Sequence, residues 1–433
     1  MKKYLAFMLV AGMSLTGLVA CGGNDTTDDS DKNSSEDNTT TDNSTDSNEK
    51  VEIKLWLDSD AYAEALIPAI EEALPNVSIV WENVGSADSR SKLELDGPAG
   101  VGADIILQPH DNMATSMEGK LLLPLDADLA AKIDDRMLAG SADTARFDGT
   151  YYGIPLSTES MALFYNKTLL EANDFEVATS FEMIKEQAAI YNDPTQNKYL
   201  MRFQPGDAYH MHYFLTAFGF NLFGEDHTDP DNININTPAV VDGLEYFKSM
   251  KEFLNVPYAD LNWDTVHGEF VKGNVPYIIG GPWEIEEINN GAADNNFEWG
   301  ITTVPTINGV QPKTFSGNII ASVSAYSKHP TEAKQVLDFM TSNEGLQILF
   351  DTTGKIPALK DNSVINGVLE NPYVAGILEQ AAYAEAMPTL VEMAKYWTPA
   401  ETMFRSVWDD LATPEQAASK ALDDYNMSLE MTE

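Results

Sequence analysis

Two tryptophans and several acids stand at positions of this chain where side chains can bind a ligand. Trp283 follows an apolar run at 277–279 and a Gly-Gly-Pro turn, and Trp397 stands between polar residues. A flat indole can cover the C–H face of a sugar ring, while carboxylates accept hydrogen bonds from the hydroxyls at its rim. Ligands of α/β proteins bind where strands end. These residue types at these positions predict a carbohydrate site.

The elements that must position these residues are strands alternating with helices. Predicted strands cover 51–57, 77–81, 103–107, 161–165, 277–279 and 319–325. Predicted helices cover 61–74, 87–95, 112–120, 180–191, 209–218, 237–253, 263–271, 330–341, 372–384, 401–411 and 414–429. In the helix at 237–253, Thr237 suits the N-cap and Pro238 the first turn. The alternation predicts βαβ units and a largely parallel sheet.

The first fifty residues have the composition of an export signal followed by a spacer. Lys2 and Lys3 precede a short apolar run at 4–18, and Cys21, the only cysteine, follows small residues. This arrangement resembles a bacterial lipoprotein processing site and predicts a signal peptide at 1–20, a lipid anchor at Cys21 and a place on the extracellular face of the cell membrane. Residues 22–50 lack aliphatic and aromatic side chains, which predicts that 21–50 is a disordered acidic linker. A secretory signal with a chance cysteine is the alternative.

Charge and composition narrow the classes of function. The formal net charge is −42, which is opposite to the charge that a nucleic-acid-binding protein needs. The residues beyond the linker are enough for two domains. His210 and His212 alternate on a predicted helix and therefore point apart, so no metal site is predicted. No cofactor motif is found, and no cofactor is predicted.

Four stretches of the chain, taken together, resemble those of one protein family. They are 103–111, then 153–167, then 270–283, and finally 386–397. Their order and spacing are similar to those of the extracytoplasmic solute-binding proteins of ABC sugar importers, in the maltose/maltodextrin-binding branch. The resemblance implies a two-lobed α/β fold of the periplasmic-binding-protein type. Each lobe would be a mainly parallel sheet flanked by helices, with several chain crossings at the hinge. The implied lobes are 51–157 with 317–371, and 158–316 with 372–433.

The same resemblance implies a set of ligand-binding residues, in which Trp283 and Trp397 are the stacking platforms. The full set is Asp60, Gln108, Asp111, Asn112, Glu159, Asp207, Tyr209, Trp283, Tyr396 and Trp397. The chain departs from the best-known maltose binders at Ala61, Gln108, Asn112 and Glu401, where those proteins have a lysine, a tryptophan and two arginines. Gln108 and Asn112 can still bond hydroxyls. The departures leave the identity of the sugar open.

The implied function is that of a receptor and not of an enzyme. A monomeric, lipid-anchored protein would close on an α-glucan by hinge motion and deliver it to the permease subunits of an ABC importer. Linear glucans, cyclic glucans and other oligosaccharides all remain possible ligands. A surface glycoside hydrolase also uses paired acids and aromatics, but the chain lacks a regular eightfold strand–helix pattern. A structural or adhesive surface lipoprotein is the third alternative, and it would bind no small molecule.

Overall fold

The computed structural model of the protein describes residues 50–431. The predicted signal peptide, Cys21 and all of the linker before Lys50 lie outside the described residues. Within 50–431, none of the helices combines the length and the apolar composition that crossing a bilayer requires.

Strands and helices alternate through the first part of this range, and helices predominate towards its end. The strands are β1 (Val51–Leu57), β2 (Val77–Asn83), β3 (Ile105–Pro109), β4 (Arg146–Phe147), β5 (Thr150–Tyr151), β6 (Ile154–Ser160), β7 (Ala162–Asn166), β8 (Met201–Arg202), β9 (Tyr277–Gly280), β10 (Trp299–Thr302), β11 (Thr314–Val323), β12 (Ile356–Pro357) and β13 (Ala384–Ala386). The α-helices are α1 (Asp60–Ala73), α2 (Ser86–Asp96), α3 (Met113–Glu118), α4 (Ala127–Arg136), α5 (Ala139–Asp143), α6 (Lys167–Ala172), α7 (Phe181–Tyr191), α8 (Ala208–Thr216), α9 (Pro238–Ser249), α10 (Trp263–Val271), α11 (Ile285–Asn295), α12 (Pro330–Met340), α13 (Asn343–Thr353), α14 (Pro372–Ala381), α15 (Met393–Trp408) and α16 (Pro414–Glu430).

The larger sheet mixes parallel and antiparallel pairs. Its strand order is β12-β6-β11-β3-β1-β2, and β13 pairs with the beginning of β11. β1 is parallel to both β2 and β3, but β11 is antiparallel to both β3 and β6. The expectation of a mainly parallel sheet is therefore wrong in this detail. The reason is that β11 runs in the direction opposite to β3 and β6. It pairs along its length of 10 residues with neighbours on both of its sides.

The smaller sheet has the order β10-β7-β9-β8, in which only β8 and β9 are parallel. The chain leaves the larger sheet after Ser160, begins the smaller one at Ala162, and returns between Thr302 and Thr314. The lobe boundaries predicted at 157/158 and 316/317 fall inside β6 and β11. The assignment of segments to lobes stays a prediction.

Most predicted elements are present, and the differences lie at positions that bear on the site. The strand β6, which carries Glu159, was not predicted. The helix α15 begins at Met393 and runs through Pro399, whereas the sequence predicted a start at 401. An interior proline removes one helical hydrogen bond and crowds the carbonyl four residues before it, at a cost of about 3 kcal/mol. The helix α15 continues through Pro399 because packing of its buried face offsets that cost. Trp397 therefore lies inside a helix and not in the loop before one.

A continuous apolar core holds these elements together. On α1 the buried residues Tyr62, Ala63, Leu66 and Ile70 recur at helical spacing, and Ser59 caps the helix by accepting the Tyr62 N–H at 3.2 Å. Trp56 and Trp408 are fully buried, and each indole N–H has an acceptor. Each large side chain buried in this way contributes about 1.5–3 kcal/mol.

Candidate functional site

A cavity of about 570 Å³ opens where strand ends of the larger sheet meet α8, α15 and the turn after β9. It is lined by Asp58, Gly85, Ser86, Ala87, Pro109, Asp111, Asn112, Glu159, Asp207, Tyr209, Trp283, Gly317, Asn318, Ile319, Lys355, Met387, Trp397 and Glu401. The lining thus combines acids, amides and aromatic rings. Among residues 50–431, Lys355 is the one lysine or arginine that lines it.

The pairing of β11 brings two of the acids to the same edge of the larger sheet. Gly317 pairs with Glu159 near the end of β6, and Ile319 pairs with Pro109 at the end of β3. Asp111 follows Pro109 in the short 3₁₀ turn His110–Asn112. Because both strand ends flank β11, Asp111 and Glu159 face one cavity although 48 positions of sequence separate them.

His110 joins three segments of the cavity wall. Its Nδ1 accepts the Asn318 backbone N–H at 3.0 Å, and its Nε2 lies 3.0 Å from the Met387 carbonyl oxygen. An accepting Nδ1 and a donating Nε2 require the neutral imidazole with its proton on Nε2. Burial lowers the pKa of His110, against the opposing effect of Asp111, which agrees with this neutral form.

Three aromatic rings contribute flat apolar faces to the cavity wall. The Tyr209 ring centroid lies 6.1 Å from that of Trp283 and 6.4 Å from that of Trp397. Phe315 stacks behind Tyr209 with centroids 5.8 Å apart and an interplanar angle of 20°. The three wall residues are partly exposed, so their faces are open to a ligand. Flat apolar faces of this kind match the C–H face of a sugar ring.

Gly280 and Gly281 leave room for two side chains, those of Glu284 and Trp283, that fold back over the turn. The indole folds back over Gly281, where a Cβ atom would overlap the ring. The carboxylate of Glu284 lies over Gly280, and a Cβ atom there would come within 2.6 Å of Oε2. The Gly-Gly-Pro turn thus lets both side chains fold onto the backbone, which fixes the indole at the end of β9.

Three acids of the cavity wall have raised pKa values, and two of them, Asp111 and Glu159, lie at the edge of the larger sheet. Burial raises the pKa of Asp111, although the Trp397 indole N–H donates to its Oδ2 at 3.2 Å. Burial also raises the pKa of Glu159 to about 7, which the positive charge of Lys355 partly opposes. Among residues 50–431, the Trp397 indole is the one side chain that donates to Asp111, and no side chain donates to Glu159. Both carboxyl groups therefore have acceptor capacity left, which a ligand with hydroxyl donors can use.

Lys355 forms a buried ion pair at the base of the cavity. Its ammonium lies 2.6 Å from Oδ2 of Asp58, and only 6% of its surface is exposed. Burial opposes protonation, but Asp58 and Glu159 together raise the pKa of Lys355. The lysine is therefore charged, and its remaining N–H groups can donate to a ligand.

Asp207, at the start of α8, and Glu401, on α15, are two further acids of the cavity wall. Asp207 caps α8 by accepting the His210 backbone N–H at 3.0 Å, and its Oδ2 lies 2.9 Å from Nδ1 of His210. Burial opposes ionisation of Asp207, yet the contact with His210 lowers its pKa. Glu401 keeps much of its surface exposed, but the walls of the cavity that it lines and the charge of Asp207 raise its pKa.

The family to which the chain belongs follows from a sequence profile that covers most of it. The profile of the bacterial extracellular solute-binding proteins matches residues 65–365. The chain belongs to this family. The family membership confirms the kinship that the four stretches predicted, and solute-binding proteins of this family bind ligands and are not enzymes.

Relatives of this solute-binding protein span nearly its whole length. A galactooligosaccharide-binding protein of Bacillus subtilis is 26% identical over 97% of this chain and 96% of its own length. The maltodextrin-binding protein MdxE of the same species is 23% identical over 99% of this chain and 97% of its own. A maltooligosaccharide ABC transporter solute-binding lipoprotein of Streptococcus pneumoniae is 23% identical over 97% and 95%.

Solved structures agree with the two-lobed fold that the sequence predicted. A cyclo/maltodextrin-binding protein complexed with maltotetraose has a TM-score of 0.70 and 30% identity over 88% of this chain and 98% of its own. A Thermus thermophilus maltotriose-binding protein bound with maltotriose has a TM-score of 0.77 and 22% identity over 87% and 100%. The solute-binding protein therefore has the two-lobed periplasmic-binding-protein-like fold.

Most residues expected at the ligand site of this solute-binding protein line the one cavity. They are Asp111, Asn112, Glu159, Asp207, Tyr209, Trp283 and Trp397. They come from strand ends, from helix starts and from the middle of α15, so tertiary packing brings them together. Their contact with a ligand stays a prediction.

Three expected residues lie elsewhere. Asp60 is exposed at the start of α1, where it accepts a hydrogen bond from Asn83. Gln108 is fully buried in β3 and accepts the Ser116 hydroxyl at 2.8 Å, because alternate residues of a strand face opposite sides. Tyr396 is fully buried behind its neighbour Trp397, because adjacent helical residues point about 100° apart.

Sequence reasoning missed other residues of the cavity wall. Asp58 follows β1 directly, so the rule that placed Asp60 at a strand end applied better to Asp58. Glu401 lies four residues after Trp397 on the same helix face, and a helix beginning at Met393 would have indicated it. Lys355 follows the left-handed C-cap Gly354, and no local pattern connects it to Asp58.

Proposed function

We propose that the protein is an oligosaccharide receptor that captures its ligand in this cavity and delivers it to an ABC importer. One observation carries the proposal: in the same cavity, carboxyl groups with unused acceptor capacity face indole and phenol rings. Trp283 and Trp397 would cover the sugar faces, while Asp111 and Glu159 accept its hydroxyls. The cavity volume of about 570 Å³ suits a ligand of a few sugar rings.

The proposed ligand is a maltodextrin-type α-glucan. Relatives named for maltodextrin and maltooligosaccharides, and a structural neighbour complexed with maltotetraose, support this class. The relative named for galactooligosaccharides favours a galactooligosaccharide as the second candidate, and cyclic glucans are the third. Asp58, Lys355 and Glu401 would make the contacts for which the best-known maltose binders use other residues.

Capture would proceed by closure of two lobes around the ligand. Glu159 lies in β6 of the larger sheet and Asp111 in the turn after β3, while Trp283 lies in the turn after β9 of the smaller sheet. A ligand that contacts both sides binds the closed form more tightly and shifts the open–closed equilibrium towards it. The permease subunits would then recognise the closed form. The proposed lobes are those predicted from the sequence, with the first boundary moved from 157/158 to Met161 and the second from 316/317 to the stretch between Thr302 and Thr314.

We also propose that the receptor is a monomer held at the extracellular face of the cell membrane. Membership of an extracellular family and the lipoprotein named among the relatives support this location. Acylation of Cys21 would supply the anchor, and 21–50 the tether. Mass spectrometry of the protein isolated from its native membrane should find the mature chain beginning at an acylated Cys21.

Titration calorimetry with maltotriose, maltotetraose, a cyclodextrin and a galactotetraose tests the ligand class. Maltodextrins should bind most tightly, and exchange of Glu159 for Gln should weaken binding. Heat only with the galactotetraose would transfer the proposal to the second candidate. Heat with none of the sugars would refute the oligosaccharide receptor, and release of reducing ends from maltotetraose would favour the hydrolase.

A further inference from the structure

A buried histidine lies behind the turn that carries Trp283. Only 3% of the surface of His267, on α10, is exposed. Its Nδ1 lies 3.2 Å from Oε2 of Glu284, and its Nε2 lies 2.7 Å from Oε2 of Glu287. Trp263 stacks on the imidazole with ring centroids 4.4 Å apart. The histidine is thus held on one face and at both nitrogens.

These contacts require the charged form of His267. A neutral imidazole has one N–H and would direct a lone pair at one of the two carboxylates, whereas the imidazolium donates to both. Burial opposes the charge, but Glu284 and Glu287 together raise the pKa of His267. Glu284 is itself 3% exposed, so the imidazolium is the cation that compensates its buried charge.

Glu284 connects His267 to the sugar-facing surface. It follows Trp283 directly in the 3₁₀ turn Pro282–Glu284, and its carboxylate lies over Gly280 while the Trp283 indole lies over Gly281. If His267 lost its proton, Glu284 would lose its compensating charge and one hydrogen bond. The turn would then be free to carry the carboxylate towards water, and the indole would move with it.

We propose that the imidazolium of His267 is a positioning group that fixes the plane of Trp283, so that ligand affinity falls as the pH rises through the titration of His267. The affinity half of this inference rests on the proposed oligosaccharide receptor. The positioning half concerns Trp283 alone and can be tested without a ligand.

In the described part of the chain, two charged side chains contact His267. Glu284 and Glu287 face His267 from the turn and from α11, and Tyr277 on the neighbouring β9 directs its hydroxyl to Gln187 instead. On the far side of Trp283, the His210 ring lies 6.2 Å from the indole, and burial of His210 is outweighed by Asp207 and Glu284, which raise its pKa. His210→Gln therefore serves as the control for the second histidine.

Nuclear magnetic resonance of the ligand-free protein tests the positioning half. The imidazole signals of His267 and the indole N–H signal of Trp283, assigned with His267→Gln and Trp283→Phe, are followed from about pH 5 to 9. We expect the two groups to share one midpoint in the wild type and in His210→Gln. In Glu287→Gln, which removes an exposed carboxylate, both midpoints should move to lower pH together. An indole signal that ignores the His267 titration would overturn the proposal.

Calorimetry with maltotetraose tests the affinity half. Wild-type affinity should be about tenfold lower above the midpoint than below it, the scale of one charge-assisted hydrogen bond. Trp283→Ala should lack this decrease, so the ratio of wild-type to Trp283→Ala affinity, in which the titration of Glu159 cancels, should fall about tenfold across the midpoint. Persistence of the tenfold change in Trp283→Ala would refute the link to the indole. Absence of binding at every pH would refute the receptor function, while the resonance data still decide the role of His267.

Discussion

Replacing Lys355 by methionine tests whether the base of the cavity depends on an ion pair. The lysine is 6% exposed, and its ammonium lies 2.6 Å from Asp58 and close enough to Glu159 to affect its pKa. Methionine fills a similar volume without charge, so both acids lose their compensating cation. Breaking a buried pair from one side costs about 3–5 kcal/mol. Because the Asp58 side chain is 15% exposed and can recruit water, we expect the lower end, about 3 kcal/mol.

Urea unfolding of the ligand-free protein at about pH 8 measures this loss in the free energy of unfolding. The double variant Asp58→Asn/Lys355→Met should recover at least about half of it, because one stranded carboxylate is then absent. At about pH 5.5 the loss in Lys355→Met should be smaller, since Glu159, with a pKa of about 7, takes up a proton. A change below about 0.5 kcal/mol in Lys355→Met at pH 8 would refute the reasoning.

Three further changes test the cavity wall. Trp397→Ala should weaken maltotetraose binding by about 2 kcal/mol and Trp397→Phe by less, since a ring remains; equal calorimetric losses would contradict stacking. Gly281→Ala should displace the Trp283 indole and weaken binding, whereas Gly268→Ala, at an unobstructed helical position, should raise the unfolding free energy by roughly 0.5–1 kcal/mol. Normal binding of maltotetraose by Gly281→Ala would show that the turn shifts to accept the methyl group and would contradict the need for glycine at this position. Glu159→Gln should stabilise the protein by roughly 3 kcal/mol at about pH 8 and by almost nothing at about pH 4.

The sign of the last effect follows from the direction of the pKa shift. The folded-state pKa of Glu159, about 7, lies above its ordinary value of 4.5. Wild-type stability from this group is therefore complete below the ordinary value and is lost as the pH rises through the folded-state value. Gln resembles the protonated acid at every pH. Thermal melts at the two pH values measure the difference, and a gain that is equal at both would contradict a raised pKa.

Local sequence patterns predicted the helices and strands whose apolar spacing lies within the segment itself. They failed for elements whose existence or bounds depend on strand pairing or on packing with distant segments. The helix at Trp263–Val271 was predicted with its observed bounds, because its apolar spacing is a property of the segment itself. The strand β6 contains Pro155 and several hydroxyl residues, and it is a strand because β11 and β12 pair with it on both sides. The helix α15 was predicted to begin too late because Pro399 reads locally as a boundary.

For the site, the sequence by itself determined the kinds of side chain and their places near strand ends. Its four motif stretches also determined the family. Strand ends and rings are local features, so Asp111 and Trp283 could be named before any fold was known, whereas Glu159 was implied by the family resemblance because β6 was not predicted. The end of β1 and the capping of α1 by Ser59 are local features, so Asp58 and not Asp60 could have been named at the strand end; only the tertiary structure decided that Asp58 lines the cavity. It also decided that Lys355, 297 positions along the chain from Asp58, supplies the cation, since packing between distant segments leaves no local pattern to read.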